Sequence, residues 1–254
     1  MEVKIKENEV VNDLLGYEGL KIIQEPGRFN FSLDSTLLAH FVKINNHSKK
    51  IADFCTGNAP IPLMLTLRTT SEISGIELQF DSADQATRSV LLNNLSSQIT
   101  ILNENLINIH ESIGTEIFDV ITCNPPFFKV GPNSNLNKND ALTMARHEVT
   151  VTLEDIVKEA AILLKPGGNF AMVHRPDRFL EIIETLQKYK LTPKRVRFVY
   201  PRIDKEANGV LIEATLHGKI GGMRLEAPLI IYEESTPNYT KEILEMFNLK
   251  KKFD

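Results

Sequence analysis

The sequence predicts an α/β fold: a seven-stranded, mostly parallel sheet with helices on both faces and an antiparallel terminal hairpin. Three observations carry this. From residue 51 onward, short apolar runs alternate with longer segments of helical period, the pattern of strands joined by crossover helices. The first apolar run breaks into a glycine-containing turn followed at once by a helix start, as open parallel sheets do at the edge where ligands bind. The last two runs are joined by PRIDKEAN, a polar stretch too short for a crossover helix, so they pair antiparallel.

In chain order, residues 33–43 (LDSTLLAHFVK) read as a helix capped by Ser32 or Asp34, ahead of the sheet. Strands follow at 51–55, 72–77, 98–102, 118–123 and 169–174, and the hairpin strands at 195–200 and 209–217. Helices are expected at 60–68, 80–95, 153–164 and 177–189, with a last amphipathic one at 238–248. Lys165-Pro-Gly-Gly168 is expected to close the helix before it. No repeat or low-complexity linker interrupts the pattern. We therefore expect one domain over 1–254, with 1–45 as an N-terminal extension and helix, 46–217 as the core and 218–254 as a C-terminal extension.

The two cysteines, Cys55 and Cys123, fall in strand-like runs. They read as small core residues of an intracellular protein and are too few for a thiolate zinc site, so no metal is expected. The N-terminus lacks the apolar segment of a secretory signal, and no stretch has the length of a membrane span, which points to the cytoplasm. With a net charge of -4, a nucleic-acid partner would need local basic patches rather than the field of the whole molecule. Candidates are Lys194, Arg195 and Arg197, then Arg175, Arg178 and Arg202, then Lys250, Lys251 and Lys252.

The first strand ends in Asp53-Phe-Cys-Thr56-Gly57-Asn58-Ala59-Pro60. A dinucleotide would require several glycines for close approach of its pyrophosphate. Here a single glycine is followed by Ala59, Pro60, Ile61 and Pro62. Glu77 ends the second strand, 20 residues after Gly57, where a carboxylate can accept hydrogen bonds from ribose hydroxyls. The combination favours an adenosine cofactor without pyrophosphate, and S-adenosylmethionine meets that description. By itself the loop is equally compatible with an ordinary strand-to-helix turn.

The fourth strand ends in Asn124-Pro125-Pro126-Phe127-Phe128. Two prolines fix the backbone and remove two N–H donors, leaving carbonyls free to accept. The Asn124 side-chain oxygen and the Pro125 carbonyl can together hold both hydrogens of an amino group, and Phe127 offers a flat face for a base. Holding the N–H bonds aims the nitrogen lone pair at an electrophilic methyl carbon. The alternative is a rigid strand-ending turn with both phenylalanines in the core.

On these and further residues the chain resembles the bacterial transfer-RNA adenine-N6 methyltransferases that modify the adenine next to the anticodon of a valine transfer RNA. The resemblance extends over nearly the whole chain. Besides the two loops it is carried by Phe31-Ser-Leu-Asp34, Leu37-Leu-Ala39, Gly75-Ile-Glu77, Ala145-Arg-His-Glu148, His174-Arg-Pro176, Tyr200-Pro-Arg202 and Glu206-Ala-Asn208. It implies a Rossmann-like class I methyltransferase fold, S-adenosylmethionine as cofactor and transfer RNA as partner. It further implies that Asn124, Pro125, Pro126 and Phe127 bind the target base, and that Asp53, Thr56, Gly57, Asn58, Glu77 and again Asn124 belong to the cofactor site. Ala59 stands where a second loop glycine is expected. Asn105 stands where an aspartate commonly contacts the cofactor's adenine, and its oxygen can still accept.

The remaining candidates each have two readings. Asp34 wraps the methionine end of the cofactor or caps its helix. Arg146 and His147, after Phe128, close over substrate or form a surface cluster. His174, Arg175 and Arg202 touch RNA, or His174 and Arg175 merely cap their strand. Because the Asn-Pro-Pro-Phe element is shared with DNA adenine and protein glutamine methyltransferases, those substrates are the alternative. A catalytically impaired RNA-binding homologue is a further one, motivated by Ala59 and Asn105.

Overall fold

The computed structural model describes residues 3–14, 19–26, 32–125 and 151–247. Phe31, Pro126, Phe127, Phe128, Arg146, His147, Lys250, Lys251 and Lys252 lie outside the described residues.

An N-terminal hairpin pairs β1 (Val10–Asp13) antiparallel with β2 (Lys21–Gln24). The central sheet contains β3 (Lys50–Phe54), β4 (Glu72–Ile76), β5 (Ile99–Leu102), β6 (Phe118–Cys123), β7 (Leu164–His174), β8 (Leu191–Tyr200) and β9 (Gly209–Leu216). Their spatial order is β8-β9-β7-β6-β3-β4-β5, with β9 antiparallel to both neighbours and β3 to β7 parallel. These are the seven strands the sequence predicts, including the terminal hairpin. Two further two-residue strands, β10 (Arg224–Leu225) and β11 (Leu229–Ile230), run parallel to the outer edge of β8 and bring the sheet to nine.

Helices cover both faces: α1 (Leu33–Phe41), α2 (Pro60–Leu65), α3 (Phe80–Leu92), α4 (His110–Ile113), α5 (Leu153–Leu163), α6 (Phe179–Lys188) and α7 (Lys241–Phe247). The strands read as continuous apolar runs because successive side chains enter opposite cores. Ile51, Val120, Ala171 and Leu211 join Leu37, Leu38, Met64 and Ile243 on one face. Ala52, Ile121, Met172 and Ile212 join Ile156, Val157, Ile182 and Leu186 on the other.

Two features depart from the sequence reading. Lys165-Pro-Gly-Gly168 does not cap a helix. α5 stops at Leu163, Leu164 pairs with Phe118 and Asn169 with Val120, so residues 165–168 bulge out of β7. Gly168 makes the close return possible: a Cβ there would stand 2.9 Å from both the Leu164 side chain and the Lys165 carbonyl. The N-terminal hairpin is the other departure, because the exposed strand β1 has no apolar alternation to betray it. It is held to α3 by Arg88, whose guanidinium donates to both Glu9 carboxylate oxygens at 2.6 Å.

α1 is fixed at its C-terminal end, where orphan carbonyls need donors. Arg68 donates to the Ala39 and Val42 carbonyls, and Arg195 of β8 to that of Phe41 at 3.0 Å. Arg195 lies over the Phe41 ring and also pairs with the buried Glu213 of β9, which accepts from the Lys43 N–H at 2.7 Å. Replacing Arg195 by Met leaves the Glu213 charge buried with fewer partners. Urea denaturation should register a loss of about 3 kcal/mol; an unchanged midpoint would refute this account of the clamp.

Candidate active site

β3 delivers Asp53 to the C-terminal edge of the sheet, 1% exposed. One carboxylate oxygen accepts from Thr56 Oγ1 and the other from Thr122 Oγ1, both at 2.6 Å. Thr122 lies directly opposite Asp53 in the β3–β6 register, so this single group ties the loop after β3 to the strand that ends in Asn124. Burial, the largest influence, raises the Asp53 pKa to about 7 despite the two hydroxyl donors. Thr56 also packs against Gly75 of β4, where a Cβ would come within 2.9 Å of its methyl.

The loop turns through three left-handed positions, Cys55 (φ 54), Gly57 (φ 58) and Ala59 (φ 69). Glu77 closes it: Oε2 accepts from the Gly57 N–H at 2.9 Å and Oε1 from the Gln79 N–H at 2.8 Å. Burial raises the Glu77 pKa. The Gly57 N–H, which could otherwise meet a phosphate, is thus taken by a carboxylate. Pro60 and Pro62 remove two of the first donors of α2. With the Gly57 N–H already held by Glu77 and two helix donors missing, this loop is unsuited to a pyrophosphate and suits a neutral or cationic adenosine compound. Nothing lies within 4 Å of where a Gly57 Cβ would be, so the turn has an open face for such a ligand.

Thr56 and Asn58 support the loop rather than offer their polar side chains to a ligand. The former is bound to Asp53, and the latter donates to the Ile23 carbonyl of β2 at 2.9 Å, with 6% exposure. The unanticipated hairpin therefore braces the cofactor loop. Asn105 is exposed on the segment after β5, its oxygen accepting from the Ile107 N–H at 2.9 Å. That local turn orients the amide at the edge expected for the cofactor's adenine.

Asn124 follows β6 directly and is half-buried, with Pro125 buried beside it. The Asn124 Nδ2 donates to Ser35 Oγ in the first turn of α1 at 3.0 Å. Asp34, the preceding residue, has its pKa raised by burial, partly countered by Ser32 and by the charge of Arg175. Asn124, Ser35, Asp34 and Arg175 therefore converge, and the cofactor loop meets them through Thr122 and Asp53.

The basic candidates fare differently. His174 is 2% exposed, its pKa is lowered to about 4 chiefly by burial, and its Nδ1 accepts from the Arg175 N–H at 2.7 Å. A buried neutral imidazole brings no charge to a phosphate, and this contact fits the second of its two readings, in which it secures the strand end. Arg202 donates to the Glu233 and Glu234 carbonyls and lies over the Tyr232 ring, tying down the C-terminal segment. Arg178 pairs with Glu181, Arg195 with Glu213 and Glu226, and Arg197 with Glu242. Arg175 remains exposed at the active edge.

The sheet order, the reversed last strand and a phosphate-free cofactor loop beside an Asn-Pro turn define a Rossmann-like methyltransferase. The model of the methyltransferase small domain family matches residues 19–198, and the chain belongs to that family. The tRNA1(Val) (adenine(37)-N6)-methyltransferase of Porphyromonas gingivalis is 33% identical over 165 residues, 63% of this chain and 63% of that relative's length. The protein of the same name from Cytophaga hutchinsonii is 22% identical over 235 residues, 92% of this chain and 96% of its own. Among solved structures, a predicted O-methyltransferase from Agrobacterium tumefaciens has a TM-score of 0.67 at 21% identity, covering 85% of this chain and 95% of that one. A 16S rRNA N2 methyltransferase of T. thermophilus, solved with AdoMet and guanosine, has a TM-score of 0.55 at 23% identity and covers 82% and 50%. These likenesses show the shared fold.

Two outcomes follow from the loop. Ala59 holds a left-handed backbone that disfavours a side chain, so Ala59→Gly should stabilise the protein by about 1 kcal/mol. A lower melting temperature would contradict that reading. Asp53, raised by burial from the ordinary 3.8 to about 7, adds stability that is present below that lower value and lost as pH rises through 7. The melting temperature of the wild type should therefore fall relative to Asp53→Asn between pH 5 and pH 8. A constant difference across that range would remove the buried carboxylate as its cause.

Proposed function

We propose that the protein transfers a methyl group from S-adenosylmethionine to the exocyclic N6 of an adenine next to the anticodon of a transfer RNA. The observation that carries the chemistry is Asn124: with its Nδ2 engaged by Ser35, its oxygen is left as an acceptor beside the cofactor loop. The family and the names of the relatives support both reaction and substrate. Single-stranded loop bases are the ones such a pocket can receive, since they leave their stack at little cost.

When bound, S-adenosylmethionine supplies a methyl already activated by its sulfonium. Glu77 would receive the ribose hydroxyls, Gly57 would present bare backbone, Asn105 would serve the adenine and Asp34 the methionine end. Asn124 Oδ1 and the Pro125 carbonyl accept the two N–H bonds of the target amine and turn its lone pair toward the methyl. As positive charge grows on nitrogen, these two oxygens stabilise it. Asp53 is too deeply buried to take the proton, which leaves by way of the acceptors or water. Pro126, Phe127 and Phe128 are assigned to the base, and Arg146, His147 and Arg175 to RNA. A transfer-RNA substrate, as the names of the relatives indicate, supports a cytoplasmic setting. Among the described residues no helix is long and apolar enough to cross a membrane.

Purified protein should methylate total transfer RNA at N6 of adenine, as read by mass spectrometry of nucleosides. Asn124→Ala should lower turnover by at least about 100-fold with folding and cofactor affinity retained. Transfer to DNA or protein glutamine instead of RNA would overturn the substrate, and full activity of the variant would overturn the mechanism.

A further inference from the structure

Asn124 must present oxygen, not nitrogen, to the substrate amine, yet the terminal amide torsion of asparagine is broad and nearly two-fold. A flipped amide would set its own N–H groups against those of the amine. Ser35 addresses this: its Oγ accepts the Asn124 Nδ2 at 3.0 Å and is itself only 3% exposed. The serine lies 89 residues away in sequence, in the first turn of α1.

Its position is well determined. Ser35 donates its backbone N–H to the Ser32 carbonyl at 3.1 Å, and residues 35–39 of α1 are all buried. The far end of the helix is held by Arg68, Arg195 and the Lys43–Glu213 contact. A rigid helix therefore carries the serine to the amide, and this bond links α1 to the end of β6.

We propose that Ser35 is a positioning residue, which acts by holding the Asn124 amide with its oxygen toward the substrate amine. The assignment rests on the methyl-transfer reading above. Ser35 need not touch substrate or cofactor; it holds the nitrogen end of the amide before the amine arrives.

The test is steady-state kinetics on transfer RNA with Ser35→Ala, Ser35→Cys and Ser35→Thr, alongside titration of S-adenosylmethionine and thermal melts. Ala and Cys should each lower kcat between about 10- and 100-fold, with KM for RNA and affinity for S-adenosylmethionine within twofold. Cys fills the serine's space but is a weak acceptor, so its loss of kcat with an unchanged melting temperature separates the hydrogen bond from packing. Thr, which restores the hydroxyl, should recover more than a third of the wild-type kcat. Wild-type kcat in Ser35→Cys, or a loss in all three variants that tracks melting temperature, overturns the assignment. A wild-type protein that binds S-adenosylmethionine but transfers no methyl to RNA overturns instead the function on which the assignment rests.

Discussion

One buried carboxylate joins the two halves of the candidate site. Asp53 accepts from Thr56 on the cofactor loop and from Thr122 on the strand leading to Asn124. Sheet pairing already sets Phe54 beside Cys123; the carboxylate adds a side-chain link from that pairing to the turn itself. A carboxyl that near to neutral in a site this dry works as a hydrogen-bonded rivet more than as a charge. It explains how a loop with one glycine keeps three left-handed residues in place.

Much of this was legible in the sequence because the relevant signals are local. The apolar runs gave the strands to within a few residues, except that β7 and β8 begin earlier, at Leu164 and Leu191. The lone glycine with Pro60 and Pro62 indicated a loop unsuited to phosphate, and the geometry supplies the reason in the Gly57–Glu77 contact. What stayed hidden depends on contacts between distant segments. Nothing in residues 3–26 announces a hairpin that braces Asn58 through Ile23. Ser35 stands beside a noted Asp34, but its partner is 89 positions away. Thr122 could have been found, since it is the strand residue opposite Asp53 in the register. The bulge at 165–168 was misread because Lys-Pro-Gly-Gly suits a helix end as well as a bulge.

Charge offers a similar lesson. Counting arginines along residues 175–202 suggests an RNA-binding stripe, yet most of these guanidiniums are committed to carboxylates and carbonyls of the same chain. Arg195, Arg197 and Arg202 weld the reversed strand pair to the C-terminal segment. Among the arginines of this stretch Arg175 is the exposed one, and its charge acts on Asp34, so the exposed positive charge of the stretch stands at the active edge.

The short strands β10 and β11 have a meaning outside the site. β8 is ten residues long and ends the sheet; left bare, its outer backbone would be a template for a strand from another molecule. Four residues of the C-terminal segment occupy that edge in two separate places, and the opposite edge, β5, is only four residues long. The sheet is thereby guarded against self-association at both margins. The segment 218–247 serves as the hem of the fabric, and fraying there would be felt as loss of solubility before loss of turnover.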